Sequence, residues 1–184
     1  DWVIVSDLDE IPNLNDISFE TIKKKIVLFK QDMMYYKFNL KLDDFVWIGT
    51  KACKFKNLKS PQWLRDIKAK NYGWWRIDTW FSEKKYQNMK FIENGGWHFS
   101  NIKNADDIEL KLKSYLHHRD YEIEEMGKNK IKELIDSNQT IYDMYADKTE
   151  KKFAEKKRKL SLYPKDKLPQ YVQNHESKFK DWLD

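Results

Sequence analysis

The chain opens on Trp2-Val3-Ile4-Val5, an unbroken apolar run rich in β-branched residues. Such a run predicts a strand buried on both faces, as inside a parallel sheet. The polar stretch Ser6-Asp7-Leu8-Asp9-Glu10-Ile11-Pro12 follows, and Pro12, which has no N–H for a ladder, ends the strand. Phe19, Ile22, Ile26 and Phe29 then recur at helical spacing behind Asn15 or Asp16 as a cap, with Lys23, Lys24 and Lys25 turned outward. Met33 to Leu40 and Val46 to Phe55, rich in aromatic and β-branched residues, predict two strands around a turn at Asp43-Asp44. Ser60-Pro61 supplies an N-cap and a first-turn proline for a short helix through about Ala69, closed by Gly73. Trp74 to Phe81 and Lys90 to Phe99 are strand-like, the second interrupted by Gly95-Gly96.

From Asn104 onward the period becomes helical. Asn104 caps, Asp106 and Asp107 suit the positive end of a helix dipole, and Ile108, Leu112 and Tyr115 make an apolar stripe. Lys128 to Asp136 and Asp147 to Leu160 predict further helices. Leu162-Tyr163-Pro164 and Leu168-Pro169 then break the chain before a last short helix ending at Trp182-Leu183. No internal repeat or low-complexity tract occurs. The expectation is one domain over residues 1–184, with a mixed part at 1–103 and a helical part at 104–184. Its class is α/β with at least partly parallel strands.

Composition narrows this picture. With 184 residues, 40% of them apolar, and 8 Trp, 10 Tyr and 10 Phe, the chain has the material for a packed core. No apolar run approaches the roughly 18 residues of a membrane span, and nothing resembles a signal peptide. Because the chain enters a strand directly at Asp1, an upstream extension is expected. The lone Cys53 excludes an internal disulfide framework and a cysteine-rich zinc site, and its place in a strand marks it as structural, so it leaves the cellular compartment open. The net charge of +5 comes almost wholly from Lys, with Arg only at Arg65, Arg76, Arg119 and Arg158. Base readers rely on Arg for bidentate contacts, so this charge reads as solvated helix surface, and no nucleic-acid partner is expected.

Among motifs, the phosphate loops G-x-x-x-x-G-K-[ST] and G-x-G-x-x-G, the zinc motif H-E-x-x-H and the nucleophile elbow G-x-S-x-G do not occur. Asp7-x-Asp9 fails as a calcium-binding EF-hand loop, since Ile11 and Pro12 stand where a ligand and a Gly are required and Ser18 replaces the bidentate Glu. On an extended chain Asp7 and Asp9 point the same way and can converge on one cation, although an acidic turn would equally keep a strand end soluble. Downstream, Asn94-Gly95-Gly96-Trp97-His98 places two glycines, which allow close ligand approach, before an aromatic and an imidazole. A Trp-His pair also packs cores. If His98 meets Asp7 and Asp9, the mixed N/O set suits Mn²⁺ as well as or better than Mg²⁺. His117 and His118, adjacent on a helix, cannot share a face and read as surface residues.

Ser6-Asp7-Leu8-Asp9-Glu10-Ile11-Pro12, Gly96-Trp97-His98, Lys111-Leu112-Lys113-Ser114 and Pro169-Gln170-Tyr171-Val172 together resemble glycosyltransferase family 17, in consistent order across essentially the whole chain. The resemblance implies a GT-A-type nucleotide-diphospho-sugar transferase fold lacking its N-terminal βαβ nucleotide-binding part. It implies inverting transfer of N-acetylglucosamine from UDP-GlcNAc to a glycan acceptor of the N-glycosylation type, assisted by Mn²⁺ or Mg²⁺. Carried over to this sequence, Asp7, Asp9 and His98 would be metal ligands. Asp7, Glu10 and Arg65 would contact the nucleotide, and Gly96 and Trp97 the sugar. A general base would be Asp66 near a helix start, with Asp78 and Glu93 as rivals. The alternatives are an inactive carbohydrate-binding or structural fragment of the same fold and, from charge alone, a polyanion binder with one continuous basic face.

Overall fold

The computed structural model describes residues 1–114, 127–141, 143 and 157–184. His117, His118, Arg119, Tyr115 and the expected helix from Asp147 as far as residue 156 lie outside the described residues. The protein is mixed α/β. It divides into two compact units, one of Asp1–Asp32 with Val46–His98 and the other of Met33–Phe45 with Phe99–Asp184.

The first unit is built on strands β1 (Trp2–Val5), β3 (Ile26–Phe29), β6 (Lys51–Lys54) and β7 (Lys90–Ile92), in the order β1-β6-β3-β7. β6 runs antiparallel to both neighbours and β3 runs parallel to β7, so the sheet is mixed. The opening strand is therefore not the buried parallel strand its apolar run predicts. β1 is a half-buried edge strand, and β3 takes the central role. Ile26, Val27, Leu28 and Phe29 are all buried, with Ile26 and Leu28 packed against Cys53, Leu64, Ile67 and Met89 on one face. Val27 and Phe29 pack with Ala52 on the other face, covered by Trp2, Ile4, Ile17, Phe19 and Ile22.

This overturns the expected helix over Phe19 to Phe29. An unbroken apolar run of four needs burial on both sides, which a sheet provides and one helix stripe does not. Only a single 3₁₀ turn, Phe19–Thr21, remains of it. Each fully buried Leu or Phe here contributes roughly 1.5–3 kcal/mol.

Ser60-Pro61 does start a helix, α1 (Pro61–Asp66), with Ser60 Oγ accepting the Trp63 N–H at 3.0 Å. It buries Leu64 against β3 and stops at Ile67, short of Ala69 and Gly73, because Ile67 adopts extended backbone. Trp74 to Phe81 is a loop holding one 3₁₀ turn, Ile77–Thr79, rather than a strand. Strand β2 (Glu10–Pro12) pairs antiparallel with the Gly96–His98 part of β8 (Gly96–Ser100), placing Glu10 opposite His98, Ile11 opposite Trp97 and Pro12 opposite Gly96. The expected break at Gly95-Gly96 thus separates β7 from β8.

In the second unit, residues Leu40 and Lys41 of β5 (Leu40–Trp47) pair with β9 (Ser161–Leu162). Asp43 and Asp44 lie inside β5, where the sequence predicts a turn, and Asp43 accepts the Ser161 hydroxyl at 2.7 Å. Strand β4 (Gln31–Tyr35) carries the chain from the first unit to the second. Helix α2 (Ala105–Ser114) begins at Asn104, whose Oδ1 accepts the Asp107 N–H at 2.9 Å. It packs on α3 (Gly127–Asp136) through buried Ile108, Ile131 and Leu134. Residues 157–160 are extended, not the end of a helix, and Leu160 N donates to Asn138 O. The chain finishes in α4 (Gln170–Asn174) and a 3₁₀ helix, Glu176–Trp182. Asn39 grips its end, donating to Asp184 O and accepting from Asp184 N, each at 2.9 Å. Among the described residues no helix is long and apolar enough to cross a membrane.

Candidate functional site

Asp7 to Glu10 do not form an extended strand end. Glu10 N donates to Asp7 O at 3.1 Å, closing a turn with Leu8 fully exposed at its tip. The turn sends its two aspartates to different partners, so the alternation expected of an extended chain does not apply. Asp7 Oδ2 accepts Arg65 Nη2 of α1 at 2.7 Å, and Asp9 Oδ2 stands 3.3 Å from His98 Nε2 of β8. The D-x-D and G-W-H segments, distant in sequence, meet because the β2–β8 register puts Glu10 opposite His98.

Glu10 is the structural centre of this turn. Only 5% exposed, its carboxylate accepts Trp47 Nε1 at 2.6 Å, Thr50 Oγ1 at 3.1 Å, the Asp7 backbone N–H at 3.0 Å and Ser6 Oγ at 3.4 Å. A buried carboxylate needs such donors, since burying an unpaired charge is prohibitive. Trp47, held in this way, stacks on the His98 imidazole with ring centroids 4.6 Å apart and planes 18° apart. Gly49 makes room for the arrangement, as a Cβ there would come within 1.6 Å of Glu10 Oε1.

Beside the turn lies a cleft of about 190 Å³ bordered by Ser6, Asp7, Glu10, Trp47, Lys51 and Arg65. Ligand pockets for whole small molecules start at roughly 300 Å³, so this cleft is smaller than such a pocket. Lys51 is buried at its wall and donates to the carbonyls of Arg65 and, at 2.7 Å, Ile67. Burial lowers the Lys51 pKa, opposed by the nearby Asp66 and Glu10 carboxylates. Neither the anchoring role of Glu10 nor Lys51 is visible in the sequence. Their partners lie on other strands, and the only local hint is Glu10 following D-x-D.

The remaining candidates are placed as follows. Asp66 Oδ2 accepts Lys84 Nζ at 2.7 Å and Oδ1 accepts Gln62 at 2.8 Å, and these hydrogen bonds pull its pKa down. Asp78 is held in a two-pronged contact by Arg76, at 2.7 and 2.8 Å, and also by Lys85, which drives its carboxyl well below the ordinary range. Glu93 pairs with Lys30 at 2.6 Å. Trp97 lies opposite Ile11, on the other face of the ladder from Glu10 and His98, and its carbonyl accepts Gln31 Nε2 at 3.4 Å. Gly96 has φ +124°, and a Cβ there would meet Ile11 O at 2.1 Å, so the glycine lets β2 and β8 approach.

Among the described residues, no three His, Cys, Asp or Glu side chains converge to hold an ion by themselves. The Asp9–His98 pair nonetheless fits one edge of a coordination shell. Adjacent ligands at about 2.1 Å from an octahedral cation stand about 3 Å apart, close to the observed 3.3 Å. Hard divalent cations in nucleotide sites characteristically take only one or two protein carboxylates and complete their shell with phosphates and water.

Comparison with family models, with curated proteins and with solved structures finds no match for this chain.

Proposed function

We propose that this chain carries the cation and acceptor side of an inverting glycosyltransferase of the family 17 type, with a GT-A fold. It would transfer a sugar, N-acetylglucosamine by the resemblance, from a UDP-sugar to a glycan. The observation that carries the reading is the Asp9–His98 contact of 3.3 Å, which brings the D-x-D and G-W-H segments together at the turn whose Asp7 and Glu10 border a small cleft.

In such a transfer the acceptor oxygen forms a bond to the anomeric carbon as the bond to the UDP phosphate oxygen breaks, leaving negative charge on the diphosphate. A divalent cation held by Asp9 and His98 would act as the Lewis acid that neutralises this charge, while Asp7 stays paired with Arg65. Arg65, held by Asp7 at 2.7 Å, lines the cleft and would donate to a phosphate bound there. Glu10 fixes the turn and, through Trp47, the His98 ring. Removal of the acceptor hydroxyl proton is assigned to Asp66, next to Arg65 on α1, with Asp78 and Glu93 as rivals.

The test is UDP-GlcNAc turnover with Mn²⁺, measured as hydrolysis and as transfer to oligosaccharides, in the natural chain and in Asp9→Ala. Turnover that requires Mn²⁺ and is lost in the folded Asp9→Ala protein supports the reading. Full activity in that variant overturns the assignment of Asp9, and turnover by neither protein overturns the enzyme.

A further inference from the structure

Lys51 carries a charge where the fold offers it little water. It lies on β6, opposite Val5 of β1 on one side and Leu28 of β3 on the other, and is only 6% exposed. Burial opposes the ammonium and lowers its pKa; Asp66 and Glu10 offset part of that penalty, whereas Lys68 and Arg65 add to it. An apolar side chain would occupy the position at less cost.

What the ammonium does there is hold a helix end. Side chains alternate along β6, so Lys51 rises from the face on which Cys53 packs with Leu64 and Ile67. Its Nζ donates to the carbonyl of Arg65 and, at 2.7 Å, to that of Ile67. These are groups that the C-terminus of a helix leaves without an intrahelical partner. α1 has six residues, too few to be stable alone, and Ser60 secures its other end.

Arg65 is gripped by its backbone and used through its side chain. The Arg65–Asp7 pair is exposed, with side-chain values of 56% and 36%, and a pair so exposed holds its own geometry weakly. The buried contact to the Arg65 carbonyl fixes the point from which the guanidinium sets out. A ring of contacts closes in this way. Lys51 pairs with Val5, Val5 leads through Ser6 to Asp7, Asp7 accepts from Arg65, and the Arg65 carbonyl accepts from Lys51. Val5, Asp7, Arg65 and Lys51 all border the cleft.

We propose that Lys51 is the positioning residue for Arg65: by holding the end of α1 it aims the guanidinium at the Asp7 turn and at the diphosphate of a bound nucleotide. The diphosphate role rests on the glycosyltransferase reading; the hold on Arg65 does not.

The experiment compares the natural chain with Lys51→Met, Lys51→Gln, Arg65→Ala and the double variant Lys51→Met/Arg65→Ala. Methionine keeps an apolar stem and no donor. Glutamine keeps a donor for one carbonyl and serves if the methionine protein is too unstable to measure. Without ligand, nitrogen-15 relaxation should show Arg65 Nε ordered in the natural chain and mobile in Lys51→Met, with faster amide exchange over residues 61–67. In calorimetric titration of UDP with Mn²⁺ present, Lys51→Met and Arg65→Ala should each weaken binding at least about tenfold, as for the loss of one charged hydrogen bond. The double variant should bind no more than about twofold more weakly than Arg65→Ala, because both changes remove the same contact.

An Arg65 Nε as ordered in the Lys51 variants as in the natural chain overturns the proposal. So does unchanged UDP affinity in Lys51→Met where Arg65→Ala weakens it, a result that keeps the nucleotide reading. Losses that multiply in the double variant also overturn it, since Lys51 would then act on the nucleotide without Arg65. A natural chain that binds no UDP removes the glycosyltransferase reading, while a mobile Arg65 in Lys51→Met still supports the hold.

Discussion

The indole of Trp47 lies stacked on the imidazole of His98, 4.6 Å between centroids, while its Nε1 donates to the buried Glu10 at 2.6 Å. A carboxylate that follows D-x-D in sequence thereby sets the orientation of a histidine on another strand.

Replacing Glu10 by Ala should leave Trp47 Nε1, Thr50 Oγ1 and the Asp7 N–H without their acceptor. The cost is about 3 kcal/mol, a fall in Tm of about 6–12 °C by thermal denaturation. Trp47→Phe keeps the stack but not the N–H, and should cost about 1–3 kcal/mol. Equal stability of all three proteins would show that Glu10 does not hold the turn.

With two protein donors rather than a closed cage, cation and nucleotide should bind as a linked pair. Titration of Mn²⁺ should give weak binding alone and at least about fivefold tighter binding with UDP present, with UDP strengthened by Mn²⁺ by the same factor. His98→Ala should remove the linkage. Tight Mn²⁺ binding without nucleotide would contradict the two-donor site.

Asp66 and Asp78 can be separated kinetically. If Asp66 is the base, Asp66→Asn should lower kcat by about 10²–10⁴-fold and remove the acidic limb of the pH–rate profile, while Asp78→Asn should do neither. The opposite pattern would exchange their roles.

Hydrogen bonds from lysines lower the pKa values of Asp66 and Glu83 from their ordinary 3.8 and 4.5, and Asp78 is lowered from 3.8 chiefly by Arg76. A depressed folded-state pKa stabilises above the unfolded value, and that contribution is lost as the pH falls through the folded one. The ion pairs of the loop after α1 should therefore be intact at pH 5 and above and loosen progressively below pH 4.5. Because these groups lie at the surface, the loosening should be local and enhanced by salt. Limited proteolysis by pepsin between residues 68 and 88 across this range measures it.

Cys53 is buried in β6, and burial raises its pKa. Its alkylation by iodoacetamide at pH 8 should be slow and should track global unfolding in denaturant. Rapid labelling of the native protein would show that the sheet opens locally at β6.

Several of these features are legible in the sequence for identifiable reasons. Ser60-Pro61 has one meaning at a helix start, and Gly95-Gly96 marks the break before β8. Phe19 to Phe29 misleads because its spacing satisfies a helix while its last four residues satisfy a strand. The deciding fact, a sheet with apolar cover on both faces, is tertiary. Trp2 to Val5 carries the same signal but lies at an edge, since strand order is not written in any strand's own residues. Trp74 to Phe81 has aromatic content without alternation, and its charges pair within the loop. The meeting of Asp9 and His98 can be expected from motif order, whereas the turn that parts Asp7 from Asp9 cannot.

The pairing of Glu10 with His98 also sets what kinds of change the molecule can absorb. Strand faces alternate, so a deletion of Gly96 that preserved the pairing would carry His98 to the opposite face and set Phe99 opposite Glu10, though every side chain survived. Counting along the chain here matters more than chemistry. Substitutions in β8 should be graded in effect, whereas frame-preserving insertions and deletions of a single codon should be all-or-none.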